Sequence, residues 1–488
     1  MVSVASVMLA RSSHSVAQAD SLIDIGDRLE LFVDDYLIDE ISSATRTLHH
    51  PQPQEVACVH DSPWEGSSSG YKTVFQDGDL YRMYYRGSHV IYTPDGFDDP
   101  HPQVVCYADS HDGIQWTKPE LGLVAFDGGK QNNIIWEGVG SHNFAPFKDQ
   151  NPNCKPDERY KALGSGDGGL YAFGSADGIH WSLTKDEPVI TKGAFDSQNL
   201  AFWDTVRGEY REYHRDFREG RDIRTGTSKD FLNWSEPVWL EYLPGRISEL
   251  YTNQIIPYYR APHIFLGFPT RYIDRGWSES MKALPQLEYR RLRGSKSQRE
   301  GTAVTDGMFM SSRNGYHFNI WPESFIRPGL RLRDNWFYGD SYQNWGLVET
   351  KSHIDGAPDE ISIYVSEASH QGEDCRWRRF TLRIDGFVSV QAPLSGGELL
   401  TKRLVFKGDH LVLNFSTSAV GSIQVEIQDE SGVPIPGFGL DECPEVFGDA
   451  LERTVSWKNG ADVSPLSGRP IRLRFMLKDA DLYSIRFC

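Results

Sequence analysis

The sequence predicts an all-β protein, a five-bladed β-propeller followed by a C-terminal β-sandwich, and three observations support this. Aromatic residues make up 12% of the 488 residues and the chain has 45 glycines and 26 prolines, as in proteins built of short strands and tight turns. One seven-residue pattern recurs four times in the first two thirds of the chain. After residue 390, alternating strands follow at short spacing, which indicates a different β domain.

The first 22 residues form a candidate signal or leader segment. A short apolar run at residues 2–10 precedes Ala17-Gln18-Ala19, which resembles a small-residue cleavage site. No positive charge precedes the apolar run, so export stays open at this point. The localisation expected from this segment is secreted or periplasmic.

The repeated pattern predicts the blades of the propeller, which is assigned to residues 23–390. Each copy has a serine, then an Asp-Gly or similar pair that favours a tight turn with positive φ, and then an aromatic residue that can fold back onto the sheet. Their starts are spaced like four-stranded blades. The copies are Ser110 to Trp116, Ser175 to Trp181, Ser228 to Trp234 and Ser312 to Phe318.

A fifth, degenerate unit is predicted between Trp345 and Phe387, which gives five blades, with six as the alternative. The early strand Leu29 to Val33 is expected to close the ring by pairing with the last blade, which would remove an open sheet edge. Residues 391–488 are assigned to the β-sandwich. The Arg-rich stretch from Ser278 to Glu300 is expected to be a loop with a short helix.

Composition excludes several classes of partner. The net charge of −18 argues against nucleic acid as a main partner, because binding of phosphates needs a clustered positive field. No apolar stretch approaches 18 residues, so no membrane-spanning helix is expected. The six cysteines are scattered without a CxxC pair, which excludes a zinc ribbon. No cofactor and no metal site are predicted, a structural cation in the channel stays open, and so does the oligomeric state.

Two Arg-rich runs, residues 211–224 and 290–299, alternate with acidic residues. Such runs most often form a solvated surface. Binding of a carboxylate or sulfate group on an acidic sugar is the second interpretation.

Acidic residues at the starts of inner propeller strands converge in space although they are distant in sequence. Glu65, Asp196 and Glu249 hold such positions, and aromatic residues that offer flat apolar faces to sugars lie near them. Glycosidic cleavage needs one acid that protonates the leaving oxygen and a second carboxylate that activates water or attacks the sugar. The substrate-binding candidates are Trp64, His142, Gln198, Asn253, Arg271, Asp306, Asp340 and Asp35.

On these residues the chain resembles the five-bladed β-propeller glycosidases, the superfamily of glycoside hydrolase families 32, 43 and 68. The resemblance covers roughly residues 25 to 390, with a trailing sandwich like that of family 32. The chain is also similar to bacterial proteins labelled family-32-like. Those proteins share Leu31-Phe-Val-Asp-Asp35, Pro63-Trp-Glu65, Phe268-Pro-Thr-Arg271 and Phe309-Met-x-Ser-Arg313.

The resemblance implies a role for each carboxylate. Glu249 matches the general acid, and Asp196 matches the modulator of its pKa or the stabiliser of the transition state. The first blade has no Asp-Pro, so Glu65 is the first choice for the base or nucleophile and Asp35 the second. The W-x-N-D-P-N-G, E-C and R-D-P motifs of family 32 are absent.

The function predicted is that of a glycoside hydrolase that degrades an oligo- or polysaccharide by carboxylate acid/base catalysis in the propeller channel. A non-catalytic carbohydrate-binding propeller is one alternative, and a glycoside phosphorylase is another. The phosphorylase would need a basic phosphate pocket beside the carboxylates. Close carboxylate spacing would favour an enzyme over a binding protein, because catalytic pairs lie roughly 5 to 9.5 Å apart.

Overall fold

The computed structural model describes residues 22–372 and 375–488 and is mostly β, with 47% of the residues in strands and 6% in helices. The predicted β class is therefore confirmed. The chain forms two compact units, a larger one of residues 47–389 and a smaller one that combines residues 22–46 with residues 390–488. The candidate leader lies outside the described residues except for Leu22.

Five sheets of antiparallel strands follow one another along the larger unit. Aromatic and β-branched residues fill their strands, and these side chains pack well on a pleated surface. The strands of the first three sheets are Gly70–Asp77, Leu80–Gly87, Val104–Ser110 and Ile134–Glu137; Ala145–Lys148, Tyr160–Gly166, Gly169–Ser175 and Ser182–Leu183; and Leu200–Asp204, Glu209–Phe217, Arg221–Ser228 and Val238–Trp239.

The fourth and fifth sheets are less regular. In the fourth, Glu241–Leu243 adds a parallel strand to the four antiparallel ones, and in the fifth the outermost strand comes from the beginning of the unit. The strands of these sheets are Ile256–Tyr258, Ala261–Gly267, Met310–Ser312 and His317–Ile320; and Val348–Thr350, Glu360–Glu367, Arg376–Arg383 and Gln52–Val59.

The strand that completes the fifth sheet is Gln52–Val59, which pairs antiparallel with Arg376–Arg383. The prediction that Leu29 to Val33 has this role is wrong. Within that segment, Glu30–Leu31 pairs instead with Ile471–Phe487 in the smaller unit. An alternating apolar pattern identifies a strand but not its partner. The sequence therefore assigns residues 23–46 to the propeller, whereas in the structure they belong to the smaller unit.

The repeated pattern forms the predicted tight turns. In the second copy, Ser175 Oγ accepts hydrogen bonds from the N–H groups of Asp177 at 3.3 Å and Gly178 at 2.9 Å. The Asp177 carboxylate accepts two more from the N–H groups of residues 179 and 180. Gly178 has a φ of +80°, and Trp181 Nε1 donates to its carbonyl oxygen at 3.0 Å. Turns with the same serine and Asp or Asn acceptors form at Ser110, Ser228 and Ser312.

The first strands of the five sheets, with short flanking segments, surround one cavity of about 690 Å³. A backbone hydrogen bond of 2.8 Å from Val74 to the Trp345 carbonyl joins the segments of the first and fifth sheets. The first strands of the five sheets thus lie around the same cavity, as the sequence predicts for the inner strands. Its lining includes residues 73–76, 146–148, 202–203, 256–257 and 345–349.

A helical insertion follows the fourth sheet's second strand. The stretch expected to be a loop with a short helix has three short helices, the first capped by Ser278 Oγ. They lie between two strands of a small three-stranded sheet. These elements are Glu279–Lys282, Leu287–Gly294 and Gln298–Thr302, with strands Glu249–Leu250, Thr270–Asp274 and Ala303–Gly307; Ile91–Thr93 pairs with Gly96–Asp98, and Pro156–Glu158 is a 3-10 turn.

The smaller unit is built on two long antiparallel strands, Leu411–Asp429 and Ile471–Phe487, whose pairing shifts register between Thr417 and Ser422. Its core is apolar and fully enclosed, and the two-layer sandwich stays a prediction. Its other elements are strands Ile23–Gly26, Glu30–Leu31, Ile38–Ser42, Gly397–Thr401, Leu404–Phe406 and Asp449–Thr454, and 3-10 turns Leu440–Glu442 and Ser464–Leu466; Thr45–Leu48 and Val388–Ala392 carry the chain between the units.

Two further properties concern the described chain as a whole. All six cysteines are free thiols, and three of those in the larger unit are buried. No helix among residues 22–372 and 375–488 is long and apolar enough to cross a membrane.

Candidate functional site

A pocket of about 360 Å³ in the larger unit is lined by residues that immediately precede the first strands of the sheets. Residues 68–71 span the end of the loop before the first sheet and the start of its first strand, the loop before the second sheet contributes His142, and the loop before the third contributes Asp196. Tyr251 comes from the loop before the fourth sheet, and Tyr338, Gly339 and Tyr342 come from the loop before the fifth. The convergence predicted for these loops places two of the predicted residues, His142 and Asp196, side by side.

Asp196 is the pocket carboxylate with the best-defined environment. His142 Nε2 lies 3.0 Å from Asp196 Oδ1, and an Arg215 guanidinium nitrogen lies 3.5 Å from Oδ2. Burial acts to raise the pKa of Asp196, but the His142 hydrogen bond and the Arg215 charge outweigh it and lower the pKa to about 2. Asp196 is therefore ionised at neutral pH.

His142 is held neutral beside Asp196. Burial lowers its pKa, and the charges of Arg86 and Arg215 lower it further. A neutral imidazole that donates from Nε2 to Asp196 has an acceptor at Nδ1, and an Arg86 nitrogen lies 3.3 Å from that atom. Together with Gln103 Oε1, which lies 2.9 Å from the same Nδ1 atom, the Arg86 and Asp196 contacts hold the ring of His142 in place.

Tyrosines form one wall of the pocket. The Tyr338 hydroxyl donates to the Tyr251 hydroxyl at 2.8 Å, and the Tyr251 ring centroid lies 5.5 Å from that of Tyr342. Burial raises the pKa of Tyr71, Tyr338 and Tyr342 well above the usual value, so these phenols stay protonated. The wall offers flat apolar faces and hydroxyl donors to a ligand.

Four guanidinium groups lie on these rings. Arg86 lies 4.7 Å from the Tyr71 ring centroid, Arg215 5.0 Å and Arg221 5.1 Å from that of Tyr251, and Arg299 5.0 Å from that of Tyr338. Such cation–π contacts hold each guanidinium plane against an aromatic face.

The helical insertion supplies the opposite charges of the pocket. Glu300 accepts a hydrogen bond from the Tyr92 hydroxyl at 3.2 Å and forms ion pairs of 3.3 Å with both Arg293 and Arg299. Arg293 is fully buried, and Arg299 is 36% exposed in its side chain. One carboxylate therefore serves two guanidinium groups.

A second, more open cavity of about 650 Å³ shares two residues with this pocket. His142 and Asp196 line both cavities, and the remaining lining of the second one includes four glycines, at positions 166, 168, 169 and 193. Asp196 therefore lies at the junction of a tyrosine-lined pocket and an open cleft.

Asp340 was predicted to bind substrate, but it is 3% exposed and lies beneath the pocket lining. Its carboxylate accepts hydrogen bonds from the N–H groups of Ser369 at 2.9 Å and Phe337 at 3.0 Å. Burial nevertheless raises its pKa to about 7. Asp340 thereby ties down the loop that carries Tyr338 and Tyr342.

Glu65 does not line either cavity beside Asp196. Its side chain is fully buried, where it accepts hydrogen bonds from the Tyr85 hydroxyl at 2.5 Å, from Lys118 Nζ at 2.6 Å and from the Ser62 N–H at 3.1 Å. This ion pair leaves Glu65 no open face towards a substrate. The sequence could not show this, because Lys118 is far away in the chain.

Glu249 lines neither of the two cavities, and 34% of its side chain is exposed. One of its oxygens lies 2.8 Å from an Arg221 nitrogen and accepts the Arg221 backbone N–H at 3.1 Å. Glu249 is two residues from the pocket residue Tyr251, and Arg221 stacks on that tyrosine. The carboxylate is thus a neighbour of the pocket wall.

The remaining predicted residues make structural contacts. Gln198 and Asn253 are buried, and they hold the loops before the third and fourth sheets by hydrogen bonds to Thr73 Oγ1 and to the Gln198 carbonyl. The other predicted residues are Trp64, which donates to Asn133 at 2.7 Å; Arg271 and Asp306, which pair with each other at 2.5 Å; and Asp35, which belongs to the smaller unit and pairs with Arg46 at 2.8 Å.

Several pocket residues had no signal in the sequence that separates them from core or surface residues. Tyr71 and Arg86 lie in two ordinary neighbouring strands of the first sheet. Tyr338 and Tyr342 are two of the 22 tyrosines of the chain, and nothing in their sequence context distinguishes them from the others. Arg299 ends the Arg-rich run of residues 290–299, whose second interpretation is binding of an acidic group, and Glu300 directly follows that run. Only that interpretation pointed to them.

Among residues 22–372 and 375–488, no group of three or more His, Cys, Asp or Glu side chains is arranged to hold a metal ion.

Comparisons with known proteins give structural similarities alone. No protein-family model matches the chain, and no curated protein sequence matches it. A glycosyl hydrolase from Bacteroides ovatus is 12% identical, with a TM-score of 0.41, over 69% of this chain and 94% of that one. The catalytic domain of a Coprinopsis cinerea GH62 α-L-arabinofuranosidase is 8% identical, with a TM-score of 0.41, over 68% and 97%.

A fructofuranosidase from Schwanniomyces occidentalis is 11% identical, with a TM-score of 0.37, and the similarity covers 90% of this chain and 98% of that one. Similarities at this level do not identify the substrate or reaction of this chain.

Proposed function

We propose that the larger unit is a five-bladed propeller and that it hydrolyses glycosidic bonds in the pocket around Asp196. The observation that carries the proposal is the position of Asp196, an ionised carboxylate at the junction of a tyrosine-lined pocket and an open cleft. A sugar that spans this junction would place the bond between its two rings next to the carboxylate. The substrate is an oligo- or polysaccharide.

Asp196 would act at the anomeric carbon of that sugar, directly or through a water molecule. Glycoside hydrolysis passes through a transition state with oxocarbenium character, which a nearby negative charge stabilises. His142 and Arg215 keep Asp196 charged and fix its position. The protonated hydroxyl groups of the tyrosine wall would hold the sugar hydroxyl groups.

Glu249 is the proposed general acid. It lies two residues from Tyr251, and its partner Arg221 lies 5.1 Å from the ring centroid of that tyrosine. Its carboxylate is paired with Arg221 at 2.8 Å, so this role requires that substrate binding separates the two groups. Glu65 is not proposed, because its carboxylate is buried against Lys118.

The test is activity of Asp196→Asn on a panel of oligosaccharides. Loss of the ionised carboxylate is expected to reduce kcat/KM about 100- to 1000-fold while the folded state is retained. Asp216→Asn is the matched control, because Asp216 is paired with Arg224 at 3.1 Å and lines neither cavity. Full activity of Asp196→Asn would overturn the proposal.

The second candidate is a carbohydrate-binding protein without catalysis. The sealed position of Glu65 favours it, since that burial leaves Asp196 and Glu300 as the carboxylates that line the pocket. This candidate predicts that sugars bind to the wild-type protein and that no member of the panel is cleaved. Titration calorimetry with the same panel separates the two functions.

A further inference from the structure

We propose that the pocket contains an oxyanion subsite formed by Arg86 and Arg299, so that its ligand is a sugar that carries, or is bound together with, an anionic group. The inference rests on the proposed function in that it names the chemical class of the ligand of the same pocket. Both arginines line the pocket, at the sides formed by the first sheet and by the helical insertion.

Positive charge exceeds negative charge at this place. Arg293 and Arg299 share the single carboxylate of Glu300, and Arg215 is paired with Asp196. Among the described residues, none forms an ion pair with Arg86, whose side chain contacts His142, the Ser68 carbonyl and the Tyr71 ring. Two carboxylates are therefore the ion-pair partners available to four arginines, of which Arg86 and Arg299 line the pocket, in a chain whose net charge is −18.

The excess charge is partly buried, where it is expensive to leave uncompensated. Arg293 has no exposed side-chain surface, and its Nε and Nη1 have no hydrogen-bond partner among the described residues. Arg299 Nη1 also has none. A buried charge is normally paired, and an anion beside Arg299 would complete this pairing without displacing Glu300.

The charges of Arg86, Arg293 and Arg299 all affect one pocket residue, His370. The imidazole of His370 lines the pocket, and burial lowers its pKa well below the usual value, with further lowering by the charges of Arg293, Arg86 and Arg299. His370 is thus neutral, and the positive charge of this region comes from the arginines. The pocket is concave, and concave walls of one sign of charge raise the local concentration of the opposite ion.

Arginine fits carboxylate, sulfate and phosphate groups through its planar fork of N–H donors. The anion can therefore belong to the sugar, as a uronate carboxylate or a sulfate ester, or it can be free phosphate. These sources share the oxyanion that the subsite recognises. The tyrosine wall beside it would hold the sugar ring in the first case.

The experiment is titration calorimetry on the full-length protein at constant ionic strength, with matched ligands. Galacturonate is compared with galactose, and inorganic phosphate and sulfate are titrated alone. The wild-type protein is expected to bind galacturonate about tenfold more tightly than galactose, which is the difference that one charge-assisted contact typically produces. Arg299→Gln is expected to remove this difference.

Two further variants keep the test independent of folding. Arg86→Gln is expected to weaken galacturonate binding as Arg299→Gln does, and Arg86→Lys to restore part of it, because the charge is kept while the fork is lost. Arg327→Gln is the control, since Arg327 is exposed and lines neither cavity. Thermal unfolding of each variant shows whether it is folded.

Each outcome has a distinct meaning. Phosphate binding that Arg299→Gln abolishes, without a preference for galacturonate, supports the subsite and identifies free phosphate as the anion. Equal binding of galacturonate and galactose without binding of phosphate or sulfate overturns the subsite and leaves the proposed function intact. Binding of phosphate or sulfate with no binding or cleavage of any sugar supports the subsite and contradicts the proposed function.

Discussion

His142 Nε2 lies 3.0 Å from Asp196 Oδ1, and this hydrogen bond joins residues from the loops before the second and third sheets. Because the imidazole is neutral, its hydrogen bond to the carboxylate adds no charge to the site. The pair therefore sets the charge state of Asp196, the carboxylate that lines both cavities. Its effect is measurable as a pH dependence.

Replacement of His142 should move the acid limb of the activity profile. The His142 hydrogen bond helps to hold the pKa of Asp196 at about 2, so His142→Phe is expected to raise that pKa. Asp196 must be ionised to act, and the variant should therefore lose kcat/KM at a higher pH than the wild-type protein does. The pH profile of kcat/KM measures this shift, which we expect to be about one pH unit.

His142→Gln is the matched variant, because its amide can still donate to Asp196. It is expected to bring the acid limb back towards the wild-type position. An acid limb that stays in place in His142→Phe would show that the hydrogen bond does not govern Asp196.

The pairing of Glu65 with Lys118 predicts a large cost in stability. Lys118→Met leaves the fully buried Glu65 carboxylate without its cation, and we expect the free energy of unfolding to fall by about 3 kcal/mol. Urea unfolding measures it. Lys351→Met is the control, because Lys351 pairs with Asp359 at an exposed site, where an ion pair contributes little to stability.

In Glu65→Gln combined with Lys118→Met, the combined loss should be smaller than the sum of the single losses, since neither charge is left alone. A Glu65→Gln variant that keeps wild-type stability and loses activity would contradict this structural role.

The turn at Asp177 predicts a stability that depends on acid. Burial acts to raise the pKa of Asp177, but hydrogen bonds from the His180 and Ile179 N–H groups and the His180 side chain outweigh it and lower the pKa. A lowered pKa means that the stabilisation is present above the unfolded value of 3.8 and is lost as the pH falls below it. Asp177→Ala should cost about 1 kcal/mol at pH 7.

Asp177→Asn separates the acceptor from the charge, and Asn314 is its natural counterpart in the fourth repeat. The stability difference between the wild-type protein and Asp177→Asn should shrink as the pH is lowered from 5 to 2. A difference that is constant with pH would contradict the prediction.

Asp340 predicts the opposite dependence on pH. Its pKa rises from 3.8 in the unfolded chain to about 7 in the folded one, so the folded state binds more protons between these values. The stability of the wild-type protein should therefore fall as the pH rises from about 4 to 7, and Asp340→Asn should fall less steeply. Urea unfolding across this range measures both slopes, and equal slopes would refute the assignment.

The sequence was informative where structure depends on neighbouring residues. The four turns follow from a serine, an Asp or Asn and a residue with positive φ within seven positions. Three of the four have glycine at the position of positive φ. In the third repeat the position of positive φ holds Phe231 rather than glycine, with a φ of 69°. The hydrogen bonds of Ser228 and Asp230 hold this turn without the glycine.

The sequence was uninformative where structure depends on distant partners. The sequence does not distinguish Glu65, Asp196 and Glu249, which are all acidic residues before or at the start of strands. In the structure Glu65 is in a buried ion pair, Asp196 lines the pocket, and Glu249 lies beside the pocket wall. Their partners are Lys118, His142 and Arg221, and their distance along the chain follows no local rule. The same holds for the strand that completes the fifth sheet. Gln52–Val59 and the segment Leu29 to Val33 are both short β segments in the sequence, and only their pairing in the structure shows which of them joins that sheet.

The division of the smaller unit between the two ends of the chain has a consequence for synthesis. Ile23–Gly26 pairs in parallel with Leu404–Phe406, so this strand leaves the ribosome long before its partner exists. The larger unit is continuous from residue 47 to 389 and can fold as it emerges. The amino-terminal strands can pair only after the last hundred residues have been synthesised. The larger unit in the middle of the chain is therefore able to fold before the smaller unit is complete.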